Sequence, residues 1–461
     1  MPAKLFPSDF LFGAATSSFQ IEGHPLVDGA GPSIWTNFTK QKGTILNDDH
    51  ADLACNHYNL WKQDIELMKR LGLKTYRLSV SWPRIMPTGE GEINQEGLDF
   101  YSRIVDELIE AGIKPMVTLY HWDLPQALQD KGGWANPDII DTFAEYSLIV
   151  NKALGDRVKD WITLNEPWVF MHLGMITGIH APGIKDMEHA ALAYKNILLA
   201  SSRAIREMRS VNPDQQLGVT CDFTKFDAAT DSNEDIRAKE ILHDYHNNLF
   251  LEPWIHGSIP ESANILFKPH GMEWSAEELA ELAIPLDFLG VNYYRRNVAF
   301  AAEDGFLNAQ TLPAEGEVTD MGWQVYPDGL YDTLQWVYET SNVPLFITEN
   351  GSAYDYPVID GRIKDVRRTE YLRSHLEACG RAIRDGVDLR GYFAWSLLDN
   401  FEWERGYGKR FGMVHVDYNT QERFIKDSGY YYRDFIKRHQ ENKIHTLRGN
   451  DKLSNSKTGT L

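Results

Sequence analysis

Two stretches, "WITLNEPW" (161–168) and "PLFITENG" (344–351), follow one plan: an apolar, β-branched run that ends on a carboxylate beside an amide. In the first, Asn165 precedes Glu166 and Pro167 follows it; in the second, Glu349 is followed by Asn350 and Gly351. β-Branched residues favour strands, and Pro or Asn-Gly interrupts them. A carboxylate at such a junction either serves the local fold or does chemistry. Pro167 suits the first helical position and an acid there complements the helix dipole. Asn350-Gly351 suits a turn. The chemical alternative is sharper, because two carboxylates facing one another across a small hollow are the apparatus for hydrolysing a glycosidic bond. Gln20, Arg77, His121 with Trp122, Asn292 with Tyr294, and Trp395 stand at comparable run ends. So many polar and aromatic groups at equivalent points favour the chemical reading of both glutamates.

Residues this remote in sequence meet only in a fold that gathers many strand ends. Eight apolar runs recur: "FLFGAATSSFQ", "TYRLSVSW", "KPMVTLYHW", "DWITLNEP", "QLGVTCD", "LDFLGVNYY", "PLFITENG" and "LRGYFAWSLLDN". Between them lie amphipathic stretches such as "GLDFYSRIVDELIEAG", with apolar residues three or four apart. Alternating strands and helices imply a parallel sheet. Eight units in 461 residues predict an α/β fold, a single (β/α)8 TIM barrel with elaborated βα loops, more than an open doubly wound sheet. No G-x-G-x-x-G follows the first run, which removes the usual support for a dinucleotide site. The barrel is expected over 1–441, and the polar stretch 442–461 as a tail that frays. The connections after about 222 and 294 are expected to be excursions over the barrel mouth. Barrel active sites gather at the carboxyl ends of the strands, so Glu166 and Glu349, on the fourth and seventh, would face each other.

Composition narrows the partners. A formal charge of -20 argues against nucleic acid and anionic membrane surfaces. No apolar run is long enough to span a bilayer. The start lacks the charged head and apolar centre of a secretory signal, and Cys55, Cys221 and Cys379 are too few and too scattered for a disulfide framework. Cytoplasmic residence is the expectation. No Cys/His cluster has metal spacing, so neither a metal nor a cofactor is expected. Asn350-Gly-Ser352 is formally a glycosylation acceptor, yet a glycan there would block a site at Glu349.

"TLNEP" (163–167) and "ITENG" (347–351) resemble the paired signatures of glycoside hydrolase family 1, the β-glucosidase family. "FLFGAATSSFQIEG", "YRLSVSWPRI", "LYHWDLPQAL", "HAPG", "NYY" and "WSLLDNFEW" extend the resemblance over roughly residues 5 to 440. It implies a retaining exo-β-glycosidase acting by double displacement on a small-molecule β-glucoside such as cellobiose, with Glu166 as acid/base and Glu349 as nucleophile. Arg77, Asn292 and Tyr294 would support them. By the same resemblance Gln20, His121, Trp122, Asn165, Glu402 and Trp403 would bind the sugar's hydroxyls, and Trp395 would lie under its apolar face. Trp168, His172, His180 and Trp323 would line the leaving-group side. Glu402 would repel the phosphate of a 6-phosphorylated sugar, and the presence of Glu166 disfavours a thioglucosidase. Departures from the family pattern are Met175 for a frequent tyrosine, Arg295-Arg296 after "NYY" for smaller polar residues, and Asn56 for an aspartate. A sugar-binding protein without activity on this fold would tend to lose one of the two glutamates; both are present. The oligomeric state is not legible.

Overall fold

The computed structural model describes residues 5–455. Eight strands form the centre of an α/β fold: β1 (Leu11–Ala15), β2 (Thr75–Ser79), β3 (Lys114–Tyr120), β4 (Asp160–Asn165), β5 (Gln216–Ala228), β6 (Phe288–Phe306), β7 (Leu345–Asn350) and β8 (Leu389–Trp395). All eight apolar runs therefore became strands. Each strand pairs in parallel with its neighbours in chain order. β1 also pairs in parallel with β8, so every one of the eight has two parallel neighbours. Helices such as His57–Arg70, Gln95–Glu110, Ile139–Leu154, Met187–Val211, Pro327–Ser341 and Val366–Arg384 run between successive strands.

Two apolar clusters follow from this layout. The larger one is built where strand residues such as Tyr76, Val117, Trp161, Val219 and Ile347 meet the helices. The smaller one takes the alternate positions Ala15, Met116, Ile162, Phe288, Phe346, Phe393 and Trp395 from six of the strands. Side chains alternate across a strand, so one strand feeds both clusters, which is why these runs are almost continuously apolar. The close approach of strands leaves no room at Gly290, where a Cβ would come within 2.1 Å of Thr220 Oγ1.

The structure corrects one expectation. The connections after 222 and 294 do not begin as loops: β5 and β6 run on for 13 and 19 residues and pair with each other as far as Ala228 and Ala299. β6 then turns back on a short antiparallel strand, Ala309–Thr311. The last helix is Asp427–Asn455, and residues 456–461 of the expected tail lie outside the described ones. No helix among the described residues is long and apolar enough to cross a membrane.

Candidate active site

Glu166 directly follows β4. Its backbone lies in the left-handed region, with φ of 49°, and it occupies the cap position of the short helix Pro167–Met171. Its side chain makes no capping hydrogen bond; Oε1 instead accepts from Asn292 Nδ2 at 2.7 Å, at the far side of β5. The local-fold alternative thus explains Pro167 but not the carboxylate. Trp122 and Trp403, which also line the cavity, have φ of 81° and 45°. Such conformations cost about 1–3 kcal/mol each in non-glycine residues and persist where surrounding structure imposes them.

Glu349 lies within β7, and Asn350-Gly351 is not a hairpin turn. Asn350 is buried, its amide donating to Tyr293 O (2.6 Å) and Tyr371 Oη (3.0 Å). At Gly351 any Cβ would sit 1.8 Å from Trp395 O, so glycine is required by the approach of β8. The Glu349 carboxylate is gripped at both oxygens. Arg77 Nη1 donates to Oε1 at 2.6 Å, and Tyr294 Oη donates to Oε2 at 2.7 Å. Arg77 is itself held by Asn165 Oδ1 (2.6 Å), Thr118 Oγ1 (3.1 Å) and Thr348 O (3.1 Å). Asn292 ties the two glutamates together, donating also to Asn165 Oδ1 at 3.2 Å and accepting from Thr348 Oγ1 at 2.7 Å.

Burial pushes both carboxyls upward, and the surroundings then separate them. On Glu349 the Arg77 guanidinium, the Tyr294 hydroxyl and the Asn292 amide oppose that push. On Glu166 the charges of Glu349 and Asp222 add to it, and it is driven well above the usual carboxylate range. The first proton shared between them therefore resides on Glu166, leaving Glu349 the better anion.

Both carboxyls open on one cavity of ≈ 290 Å³, lined also by His121, Trp122, Tyr294, Trp395, Glu402 and Trp403. His121 is held neutral, its basicity lowered by burial and by Arg77. Glu402 has one oxygen, Oε2, buried without a partner, and burial together with Glu404 and Glu349 raises its carboxyl well above the ordinary range. Three of the side chains expected at the sugar also hydrogen-bond within the protein. Gln20 is wholly buried and gives both amide hydrogens to the protein, at Asn400 Oδ1 (3.1 Å) and Phe401 O (2.8 Å). Asn165 pairs with His121 Nε2 at 3.1 Å, and the Trp122 indole donates to Asn165 O at 2.9 Å. Gln20, Asn165, Arg77 and Asn292 stand behind the lining residues.

All four residues expected on the leaving-group side line the same cavity. Trp168 stacks on His172 at 4.5 Å, and burial holds His172 neutral, pushed down to about 4. His180 Nε2 meets Glu404 Oε2 at 2.7 Å. Trp323 packs against Tyr294 and Phe411. Sequence reasoning missed Asp222 and Glu404. Asp222 sits at the end of the run "QLGVTCD", so the strand-end rule that found the other residues could have found it. Its partner His246 (2.8 Å) comes from the segment between helices Asn233–His243 and Leu249–His256, where nothing in the local pattern marks it. No group of His, Cys, Asp and Glu among the described residues has the geometry of a metal site.

The glycosyl hydrolase family 1 model matches residues 2–441. This chain belongs to glycosyl hydrolase family 1. It is similar to β-glucosidase A of Thermotoga maritima, 48% identical over 440 residues that cover 95% of this chain and 99% of the relative. A 1,4-β-D-glucan glucohydrolase of Thermotoga neapolitana is 47% identical over 94% of this chain and 98% of its own. The solved family 1 β-glucosidase of Thermotoga maritima superposes with a TM-score of 0.93 at 47% identity, covering 94% of this chain and 98% of that one. Within this family 1 chain, two of the noted departures have local explanations. Asn56 takes a left-handed conformation (φ 51°) that asparagine tolerates, and its Oδ1 accepts from Asn59 Nδ2 at 2.7 Å. Arg296 is tied to Asp227 at 2.5 Å. Met175 is buried in the larger apolar cluster. Arg295 lines the cavity.

Proposed function

We propose that the protein is a retaining exo-β-glucosidase that removes terminal β-D-glucosyl residues from short β-glucosides such as cellobiose, on a single (β/α)8 barrel. Membership of family 1 and relatives named β-glucosidase make the enzyme a β-glucosidase; the mechanism is read from the site. The observation that carries it is the unequal setting of two carboxyls on one cavity: Arg77 and Tyr294 grip both oxygens of Glu349 and oppose the upward push of burial there, whereas the charges of Glu349 and Asp222 add to that push on Glu166. In the first step a Glu349 oxygen forms a bond to the anomeric carbon while the bond to the leaving oxygen breaks. Glu166 gives that oxygen its proton, and the alcohol departs. Once Glu349 is a neutral ester, its charge no longer raises Glu166, which becomes a base able to take a proton from water. The water oxygen bonds to the anomeric carbon, the ester bond breaks, and Glu349 is an anion again. Two inversions return a β-configured sugar.

His121, Trp122, Trp395, Glu402 and Trp403 form the sugar side in this reading, with Gln20 and Asn165 orienting them through Asn400 and His121. The unpartnered oxygen of Glu402 suits a sugar hydroxyl, which can donate or accept. Cytoplasmic residence is supported by three buried free thiols and by Asn350, whose amide is buried in hydrogen bonds rather than open to a glycan. The test is turnover of 4-nitrophenyl β-glucoside followed by proton NMR. β-Glucose must appear first and then mutarotate; α-glucose first, or binding without turnover, overturns the proposal.

Asp222 offers a test of the acid. Its negative charge helps keep Glu166 protonated, so Asp222→Asn lowers the Glu166 pKa. Activity that needs protonated Glu166 is lost as pH rises through that pKa. The alkaline limb of kcat/KM for phenyl β-glucoside therefore moves to lower pH, by roughly half a unit to one unit. A limb that stays in place would remove Asp222 from the acid's environment.

A further inference from the structure

We propose that Arg295 and Asp222 form a donor–acceptor pair that reads hydroxyl groups on the leaving-group side, so that the enzyme takes a saccharide aglycone in preference to an apolar aryl one. This deepens the β-glucosidase reading and rests on it.

The pairing of β6 with β5 slips between Phe223↔Tyr293 and Lys225↔Arg296, so Tyr294 and Arg295 both line the cavity whereas Arg296 does not. Arg296 is committed: it bonds Asp227 and lies 4.7 Å over the Tyr326 ring. Arg295 lines the cavity with its guanidinium 5.1 Å over the Trp323 ring, and among the described residues nothing gives it a hydrogen bond or an ion pair. Trp323 also meets Tyr294 at 5.4 Å and Phe411 at 6.1 Å. An aglycone reaching this wall therefore meets N–H donors together with indole. A flat apolar ring would cover those donors without satisfying them, whereas hydroxyl oxygens accept from them.

Asp222 lines the same cavity and supplies the opposite function. Its Oδ2 is held by His246 Nε2 at 2.8 Å, and its Oδ1 has no partner. Asp222 is foremost among the carboxyls whose charge acts on Arg295. With a cation and an anion both lining it, the wall presents little net charge to a charged aglycone. A sugar hydroxyl both donates and accepts, so a second sugar can satisfy both groups at once, while an aglycone carboxylate would suit Arg295 and be repelled by Asp222.

The experiment compares kcat/KM for cellobiose, phenyl β-glucoside and 4-carboxyphenyl β-glucoside in the wild type, Arg295→Ala, Arg295→Gln and Asp222→Asn. The cellobiose-to-phenyl ratio is expected to fall by about tenfold in Arg295→Ala and by less in Arg295→Gln, whose amide keeps two N–H donors. Asp222→Asn lowers the same ratio. A ratio that stays within about twofold of wild type in Arg295→Ala overturns the pair, as does a loss confined to the carboxyphenyl substrate, which would make Arg295 an anion reader. A wild type that cleaves none of the three substrates overturns the β-glucosidase reading and this inference with it.

Discussion

Replacing Glu349 with Gly is expected to abolish hydrolysis of every β-glucoside, by roughly five orders of magnitude or more in kcat. No other carboxylate in the cavity is gripped at both oxygens by Arg77 and Tyr294, so none can take its place as the attacking group. Added azide is expected to restore consumption of 4-nitrophenyl β-glucoside. It enters from the vacated side, and the product is the inverted α-glucosyl azide. A β-azide from this variant would exchange the roles of the two glutamates. The variant also leaves Arg77, fully buried, without its counter-charge. Stranding a buried charge typically costs about 3–5 kcal/mol, so a lowered Tm is expected alongside the loss of turnover. Azide rescue separates the two effects, because only folded protein can give one stereochemical product.

Glu166→Ala is expected to divide substrates by leaving group. Cellobiose and phenyl β-glucoside, whose departing oxygens need a proton, lose on the order of 10²- to 10⁴-fold in kcat/KM. 2,4-Dinitrophenyl β-glucoside, which leaves as a stable anion, loses far less at that step and then waits at the ester, because the base for water is gone as well. Azide needs no base and is expected to speed this slow step, giving β-glucosyl azide with retained configuration. The alkaline limb of the kcat/KM profile should vanish with the acid that causes it. Equal losses across all three substrates would show that Glu166 orients the sugar and does not transfer a proton. Because Asn292 Nδ2 donates to Glu166 Oε1 and to Asn165 Oδ1, truncation at 166 leaves that amide its Asn165 contact, and little stability should be lost.

Much of this was legible in local patterns. The eight strand runs announce themselves because strands covered on both faces are almost continuously apolar and β-branched, and each stops at a polar or breaking residue. Strand ends carry the chemistry in such folds, so Glu166, Glu349, Arg77, His121, Asn292 and Tyr294 could be picked out before any contact was known. The similarity to family 1 then ordered them into roles.

Other features were decided only by tertiary structure. Whether a polar group faces the cavity or is already satisfied depends on partners brought from far along the chain: Gln20 is taken by Asn400 and Phe401, and the Trp122 indole by Asn165. β5 and β6 outrun their apolar cores because each finds the other's free edge, a pairing no single run can signal. Asp222 with His246 and Glu404 with His180 are carboxylate–histidine contacts across separate segments. Of two adjacent arginines, the structure ties one to Asp227 and leaves the other open to the cavity. The sequence by itself determined which residue types arrive at the strand ends, because side-chain period and backbone propensity act over a few residues. Which of them remain free for a substrate was decided by the tertiary structure, since hydrogen-bond partners and fields depend on distance in space.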